Sequence, residues 1–251
     1  MTDTSWFLPL LFLTGTAAGI VNAFAAGGGL VTLPALLLTG LPAQAALGTN
    51  KFQSLFGNFT SALYYIRGGA VSLSKAAPGI FFTAIGAAAG AVTVQHTGNQ
   101  FLHTILPFLL AAMIPLTLLS PEEGMIESKP RISPRLFFPV AGLAFGFFDG
   151  FFGPGVGSFW TIALMFGLGF TVTKAIAYSK VLNCTSNIVA VLLYASFNFI
   201  WFGAGLVMAS GQILGASIGA RFVMKKGPKA IRPIFVGFLV LATLKLFYDL
   251  F

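Results

Sequence analysis

The chain alternates long apolar runs with short polar breaks, and the runs fall into two similar series. The first opens with apolar residues 6–25, which run into a glycine tip, Ala26-Gly27-Gly28-Gly29. A short apolar arm over 28–39 follows, roughly 18 Å long at 1.5 Å per residue and too short to cross a hydrocarbon core of about 30 Å. Gly40-Leu41-Pro42 closes it, and three longer runs predict full helices over 43–66, 76–94 and 101–119. After polar residues 120–135 the pattern restarts. Residues 136–152 lead to a second tip, Gly153-Pro154-Gly155-Val156-Gly157, a short arm runs to Gly169, and helices are expected over 171–194, 201–223 and 230–250. Runs of this length and character predict an all-α polytopic membrane protein. In such a protein the backbone groups freed at a glycine break must be buried in protein or line a wet cavity, so each tip needs a structural reason.

The two series match residue by residue. One constant offset aligns Ala46-Leu47-Gly48-Thr49-Asn50-Lys51 with Ala175-Ile176-Ala177-Tyr178-Ser179-Lys180, and also Asn58 with Asn187, Tyr65 with Tyr194, Gly86 with Gly215, Gly90 with Gly219 and His103 with Arg232. Nearer the front, Gly19-Ile20-Val21-Asn22 meets Gly146-Phe147-Phe148-Asp149, with two residues gained before the lysines. Internal repeats of this kind characterise secondary transporters, whose substrate site lies at the repeat interface.

Charge then orients the halves. The loop from Arg67 to Lys75 is basic and its equivalent around 195–199 is neutral; the loop around 95–100 is uncharged and its equivalent carries Arg221, Lys225, Lys226, Lys229 and Arg232. The positive-inside bias places equivalent loops on opposite sides, which is an inverted repeat. Each half then crosses an odd number of times; a hairpin that spans twice and one that dips in and returns both satisfy this, and both leave the termini outside. The expected organisation is a first inverted repeat over 1–119, a polar cytoplasmic linker over 120–135, and a second inverted repeat over 136–251. Each repeat is a glycine-tipped helical hairpin plus three transmembrane helices. The linker holds three acids, three bases and three prolines, which marks it as exposed.

Composition agrees with this class. The chain has 251 residues, 57% hydrophobic and 8% charged, with a mean hydropathy of +0.90. Its 28 Phe and 30 Gly suit lipid-facing bulk on one side of the helices and close helix contacts on the other. The basic residues behind the net charge of +8 cluster in loops, where the positive-inside bias accounts for them without a nucleic-acid partner. The single Cys184 excludes an internal disulfide framework or a cysteine metal site. Residues 6–18 followed by Ala23-Phe24-Ala25 imitate a signal peptide, but no Lys or Arg precedes them and the segment has a counterpart deep in the chain, so it is expected to be retained.

The candidate chemistry is polar residues within apolar helices. Lys51 lies roughly 12 Å inside its predicted helix and Lys180 at a similar depth. A central lysine costs about 2.5–3.5 kcal/mol on insertion scales, and such groups usually mark pathways. Helical spacing puts Asn50 beside Lys51, and Lys51, Ser54, Asn58, Ser61 and Tyr65 on one face; Lys180, Asn183, Asn187 and Tyr194 form the matching face. Each short arm starts at a glycine tip, so Gly28, Gly29 and Gly155 bring exposed N–H groups and a positive helix end towards the bilayer centre, where they attract anions. The natural ligand is a small anion. The structural alternative is that each lysine ties to helix-end carbonyls or to an acid such as Asp149. Asp149, the one acid deep within an apolar segment, reads either as a proton-coupling carboxylate or as the partner of Lys180. Gly86/Gly90 and Gly215/Gly219 read as helix-packing pairs. His96 and His103 have no metal-ligand company, the tips lack the Lys-Ser/Thr of a nucleotide loop, and no cofactor or metal is expected.

The blocks GIVNAFAAGGGLVTLPAL, LGTNKFQSLFGNFTSALYY, GFFDGFFGPGVGSFW and AYSKVLNCTSNI resemble the TauE/SafE family of membrane transporters, also called the sulfite exporter or toluene-sulfonate uptake permease family. The resemblance covers essentially the whole chain. It implies a multi-pass carrier of the prokaryotic cytoplasmic (inner) membrane for sulfur-containing anions such as sulfite, sulfonates or sulfoacetate, driven by the proton gradient. The family motifs map onto Gly27 to Gly29, Asn50-Lys51, Asp149-Gly150, Gly153-Pro154-Gly155 and Lys180 with Asn183 and Asn187. The expected partners are therefore a small anionic substrate and the lipid bilayer, with a homo-oligomer allowed. A passive anion channel is the alternative within transport. A membrane-embedded enzyme would need a histidine-acid cluster or nucleophile-base pair, and the helices offer neither.

Overall fold

The computed structural model describes residues 7–25, 27–119 and 126–226. Among these, nine α-helices follow in order: α1 (Phe7–Ala25), α2 (Gly28–Leu38), α3 (Ala43–Arg67), α4 (Leu73–Gln95), α5 (Asn99–Leu119), α6 (Pro134–Phe151), α7 (Val156–Leu168), α8 (Val172–Ser196) and α9 (Phe202–Lys226). Each expected helix from 6 to 223 has its counterpart within a few residues at either end. The expected helix over 230–250, the front of the linker and Ala26 of the first tip lie outside the described residues.

The helices Leu73–Gln95, Val172–Ser196 and Phe202–Phe222 are long and apolar enough to cross a membrane. Helix α3 matches them in length at 25 residues, about 37 Å, but its apolar character is diluted by buried Gln44, Asn50, Lys51, Gln53, Ser54 and Asn58. The 11 residues of α2 and the 13 of α7 are too short to cross, reaching about 16 and 20 Å.

Two helix pairs form the most extensive contacts, α1 with α9 and α4 with α6. Glycines make them close. A Cβ on Gly86 would run into the backbone at Leu143 and Phe147, and one on Gly90 into the backbone at Phe147 and Phe151. Numbers rise together on both helices, so α4 and α6 run parallel. In the other pair, Gly215 abuts the backbone at Thr16 and Ile20, and Gly211 abuts Phe12 and Thr16, which makes α1 and α9 parallel too. Such backbone approach gives dispersion contact without a large side chain between the helices.

Helices α3 and α8 pack on each other at the centre, flanked by α9 and α4 respectively. The two glycine tips meet beside them: a Cβ on Gly29 would lie 3.3 Å from Pro154 Cα and 3.3 Å from Asn50 Nδ2. Two tyrosines fasten the tips to the central helices. Tyr65 Oη donates to Ala23 O at 2.8 Å, and Tyr194 Oη donates to Gly150 O at 3.2 Å. At the far end of α3, Gln44 Nε2 donates to Val94 O and Thr97 O, both at 3.0 Å, and so satisfies the end of α4.

Candidate functional site

The second tip requires glycine for two reasons. Gly153 and Gly155 have φ of 94° and 85°, the left-handed region that a Cβ disfavours. A Cβ on Gly153 would also collide with Lys51 Nζ and Cε. The tip is therefore bare so that a lysine from the first half can lie against it. Gly155 caps α7 and Gly27 caps α2. The positive ends of both short helices therefore face the same place.

That place is a cavity of about 20 Å³ lined by Asn22, Gly29, Asn50, Lys51, Ser54, Asn58, Asp149, Gly153, Pro154, Gly155, Val156, Asn183 and Asn187. It holds on the order of one water. Of the ten residues singled out for substrate, Asn50, Lys51, Ser54, Asn58, Asn183, Asn187, Gly29 and Gly155 line the cavity together with Asp149, whereas Lys180 and Gly28 stand one layer behind, both against Asn22.

Charge is arranged unequally. Lys51 is 2% exposed and Lys180 is 0% exposed. Lys51 Nζ forms an ion pair with Asp149 Oδ1, and Ser186 Oγ donates to Asp149 Oδ2. Asp149 is thus the partner of Lys51, across 98 residues of chain, and not of Lys180. Lys180 Nζ donates instead to Asn22 Oδ1 at 3.2 Å, and among the described residues it has no ion-pair partner. Since Asn22 aligns with Asp149, each lysine reaches the corresponding residue of the opposite half. One lysine finds a carboxylate there and the other a neutral amide. Holding a buried charge without an ion-pair partner is costly.

Two of the amides have their oxygens engaged away from the cavity. Asn50 Oδ1 accepts from Thr32 Oγ1 at 2.5 Å and from Gln53 Nε2 at 3.0 Å, so its NH₂ faces Gly29 and the cavity. Asn58 Oδ1 accepts from Asn22 Nδ2 at 2.9 Å, which likewise leaves the Asn58 NH₂ to the cavity. Asn183 Oδ1 is buried with no hydrogen-bond partner among the described residues, so its amide is unanchored on that side. Behind Asn50, Gln53 Nε2 donates to Thr32 Oγ1 and Ser54 Oγ, both at 2.8 Å, and Gln53 Oε1 accepts from Gln212 Nε2 at 2.6 Å.

The site also draws on Ser186, Gln53, Thr32 and Gln212, which no motif in the chain marks, and on Asn22, which the repeat marks only as the counterpart of Asp149. Ser186 was within reach, because it stands one turn beyond Asn183 on the same face. Gln53 and Gln212 carried a weaker signal, an uncharged polar residue within a membrane-length helix. Among the described residues no group of three or more His, Cys, Asp or Glu is placed to hold a metal ion.

Comparison with known proteins gives the family. Residues 11–246 match the family model described as Sulfite exporter TauE/SafE. The chain is 40% identical over 242 residues to a "Probable membrane transporter protein" of Haemophilus influenzae, covering 96% of this chain and 95% of that one. It is 40% identical to "Probable membrane transporter protein YfcA" of Escherichia coli K12, with 96% and 90% covered. A third relative, "Probable membrane transporter protein ORF9" of a Sinorhizobium species, is 38% identical, with 96% and 93% covered. No solved structure matches the chain. A family model spanning most of the sequence, together with relatives alike over nearly their full length, establishes that this chain belongs to the sulfite exporter TauE/SafE family of membrane transporters.

Proposed function

We propose that the protein is a secondary transporter of small sulfur-containing anions, of the sulfite, sulfonate or sulfoacetate type, working by alternating access in a prokaryotic cytoplasmic membrane. The observation that carries this reading is the buried Lys180 without a carboxylate, set behind a cavity that amide NH₂ groups and two helix N-termini also face. An anion there gains charge, hydrogen bonds and dipoles of one sign. The family description supports sulfur as the central atom.

Asp149 supplies the coupling. While ionised it occupies Lys51, and the two lysines with one carboxylate leave the site a single net positive charge. A proton on Asp149 releases Lys51 to the substrate, so proton and anion bind together and travel in the same direction. A cavity of about 20 Å³ is too small for a four-atom oxyanion, so on this reading the tips part to admit one.

The site lies between two inverted repeats, 1–119 and 136–251. Support comes from the matched packing: α1 on α9 corresponds to α6 on α4, and Gly215 against Thr16 and Ile20 corresponds to Gly86 against Leu143 and Phe147. Short turns make α1, α2, α3 and α4 successively antiparallel, so α4 opposes α1. Because α6 runs parallel to α4, it also opposes α1, its counterpart in the other half. Flux of sulfite and a sulfonate panel into proteoliposomes tests the reading. Saturable uptake that follows an imposed pH gradient is expected, and a Lys51→Ala/Lys180→Ala variant should lose it. Undiminished flux in that double variant would remove the lysines from the mechanism.

A further inference from the structure

A second cavity, about 740 Å³, opens far from the tips. It lies where the N-terminal ends of α4, α6 and α8 meet the C-terminal end of α7 and residues 127–130 of the linker. Its volume falls within the range of about 300–1,000 Å³ usual for small-molecule sites. The wall is apolar, with Phe82, Phe138 and Leu168, and the mouth is basic, with Lys75, Arg135 and Lys174.

The three cations are not equivalent. Lys174 is committed: its Nζ bonds Glu127 Oε1 and stands 4.5 Å from the centre of the Phe170 ring. The Lys174 hydrogen bond and charge hold the Glu127 carboxyl below its usual range, with Lys75 adding to the effect, so Glu127 is ionised at neutral pH. Lys75 and Arg135 are exposed and have no ion-pair partner among the described residues. Next to the cavity, Phe81 on α4 and Leu136 and Val140 on α6 are exposed apolar side chains of the kind that faces acyl chains. The site therefore joins a cationic rim to an apolar wall that continues into lipid-facing surface.

We propose that this cavity binds an anionic phospholipid of the cytoplasmic leaflet, its phosphate on Lys75 and Arg135 and its acyl chain along Phe82, Phe138 and Leu168. The assignment of leaflet rests on the orientation proposed above, in which the Lys75 loop and the linker are cytoplasmic. A free inorganic anion would use the two cations but draw nothing from the apolar wall. A zwitterionic lipid would use the wall but add its own cation at the mouth.

The test is lipid binding by the full chain in neutral detergent, titrated with phosphatidylglycerol or phosphatidylcholine and read by native mass spectrometry and by melting temperature. Phosphatidylglycerol is expected to bind about tenfold more tightly than phosphatidylcholine, since basic side chains near a headgroup each add measurably to its attraction. Lys75→Gln/Arg135→Gln should erase that preference, and the charge-conserving Lys75→Arg/Arg135→Lys should keep it. Equal affinity for the two lipids, or an unchanged preference in the neutral variant, would overturn the proposal. Displacement of the lipid by millimolar sulfite or phosphate would overturn it too, by identifying a free-anion site. The readout does not involve transport, so either result stands apart from the transport reading.

Discussion

At the scale of single residues, the site turns on one substitution between otherwise equivalent places: Asn22 in the first half, Asp149 in the second. Both accept from the lysine of the other half, but only Asp149 can exchange a proton. Asp149→Asn should therefore fold, because an amide already accepts a buried lysine at Asn22, while uptake in that variant should no longer follow a pH gradient in proteoliposomes. Asp149→Ala should be destabilised by about 3–5 kcal/mol, because it strands Lys51 without an acceptor, and thermal melting of the two variants measures the difference. The lysines themselves were legible in the chain as charges deep in apolar runs. Their partners were not, since Lys51 and Asp149 meet only through tertiary packing.

At the scale of elements, the breaks in the helices were legible and their purpose was not. A Gly-Pro-Gly run announces a turn in any context, but only the fold places Gly153 against Lys51 and Gly29 against Pro154. The packing glycines follow the same division. Their four-residue spacing was visible, whereas their partners come from the opposite half. A methyl at Gly90 or Gly215 would meet backbone on α6 or α1, so Gly90→Ala and Gly215→Ala should each cost about 1–3 kcal/mol by overpacking. Gly98→Ala, with nothing within 4 Å of its Cβ, should melt with the parent protein.

For the whole molecule, the decisive property is the orientation of the two halves. Ser74 and Ser196 are exposed at the α3–α4 and α8–α9 connections. Placed one at a time in a Cys184→Ala background, Ser74→Cys and Ser196→Cys should react with a membrane-impermeant maleimide from opposite sides. Labelling of both from the same side would refute inversion. Exchange of partners between halves has a mechanical consequence as well. Because α4 packs on α6 and α9 on α1, each tip is carried by a helix that the other half holds. Motion of one tip therefore loads the contacts of the other half.

By itself the sequence determined what local chemistry can determine: which stretches are apolar enough to be helix in lipid, where glycine must break them, which charges lie too deep to be incidental, and that the pattern occurs twice. Periodicity and hydropathy are properties of neighbouring residues, so they survive without a fold. Tertiary structure decided the pairings: Lys51 with Asp149 and Ser186, Lys180 with Asn22, tip against tip, and the basic, apolar-walled cavity beside the linker. Those depend on distances between residues far apart in the chain, and packing of the helices sets them.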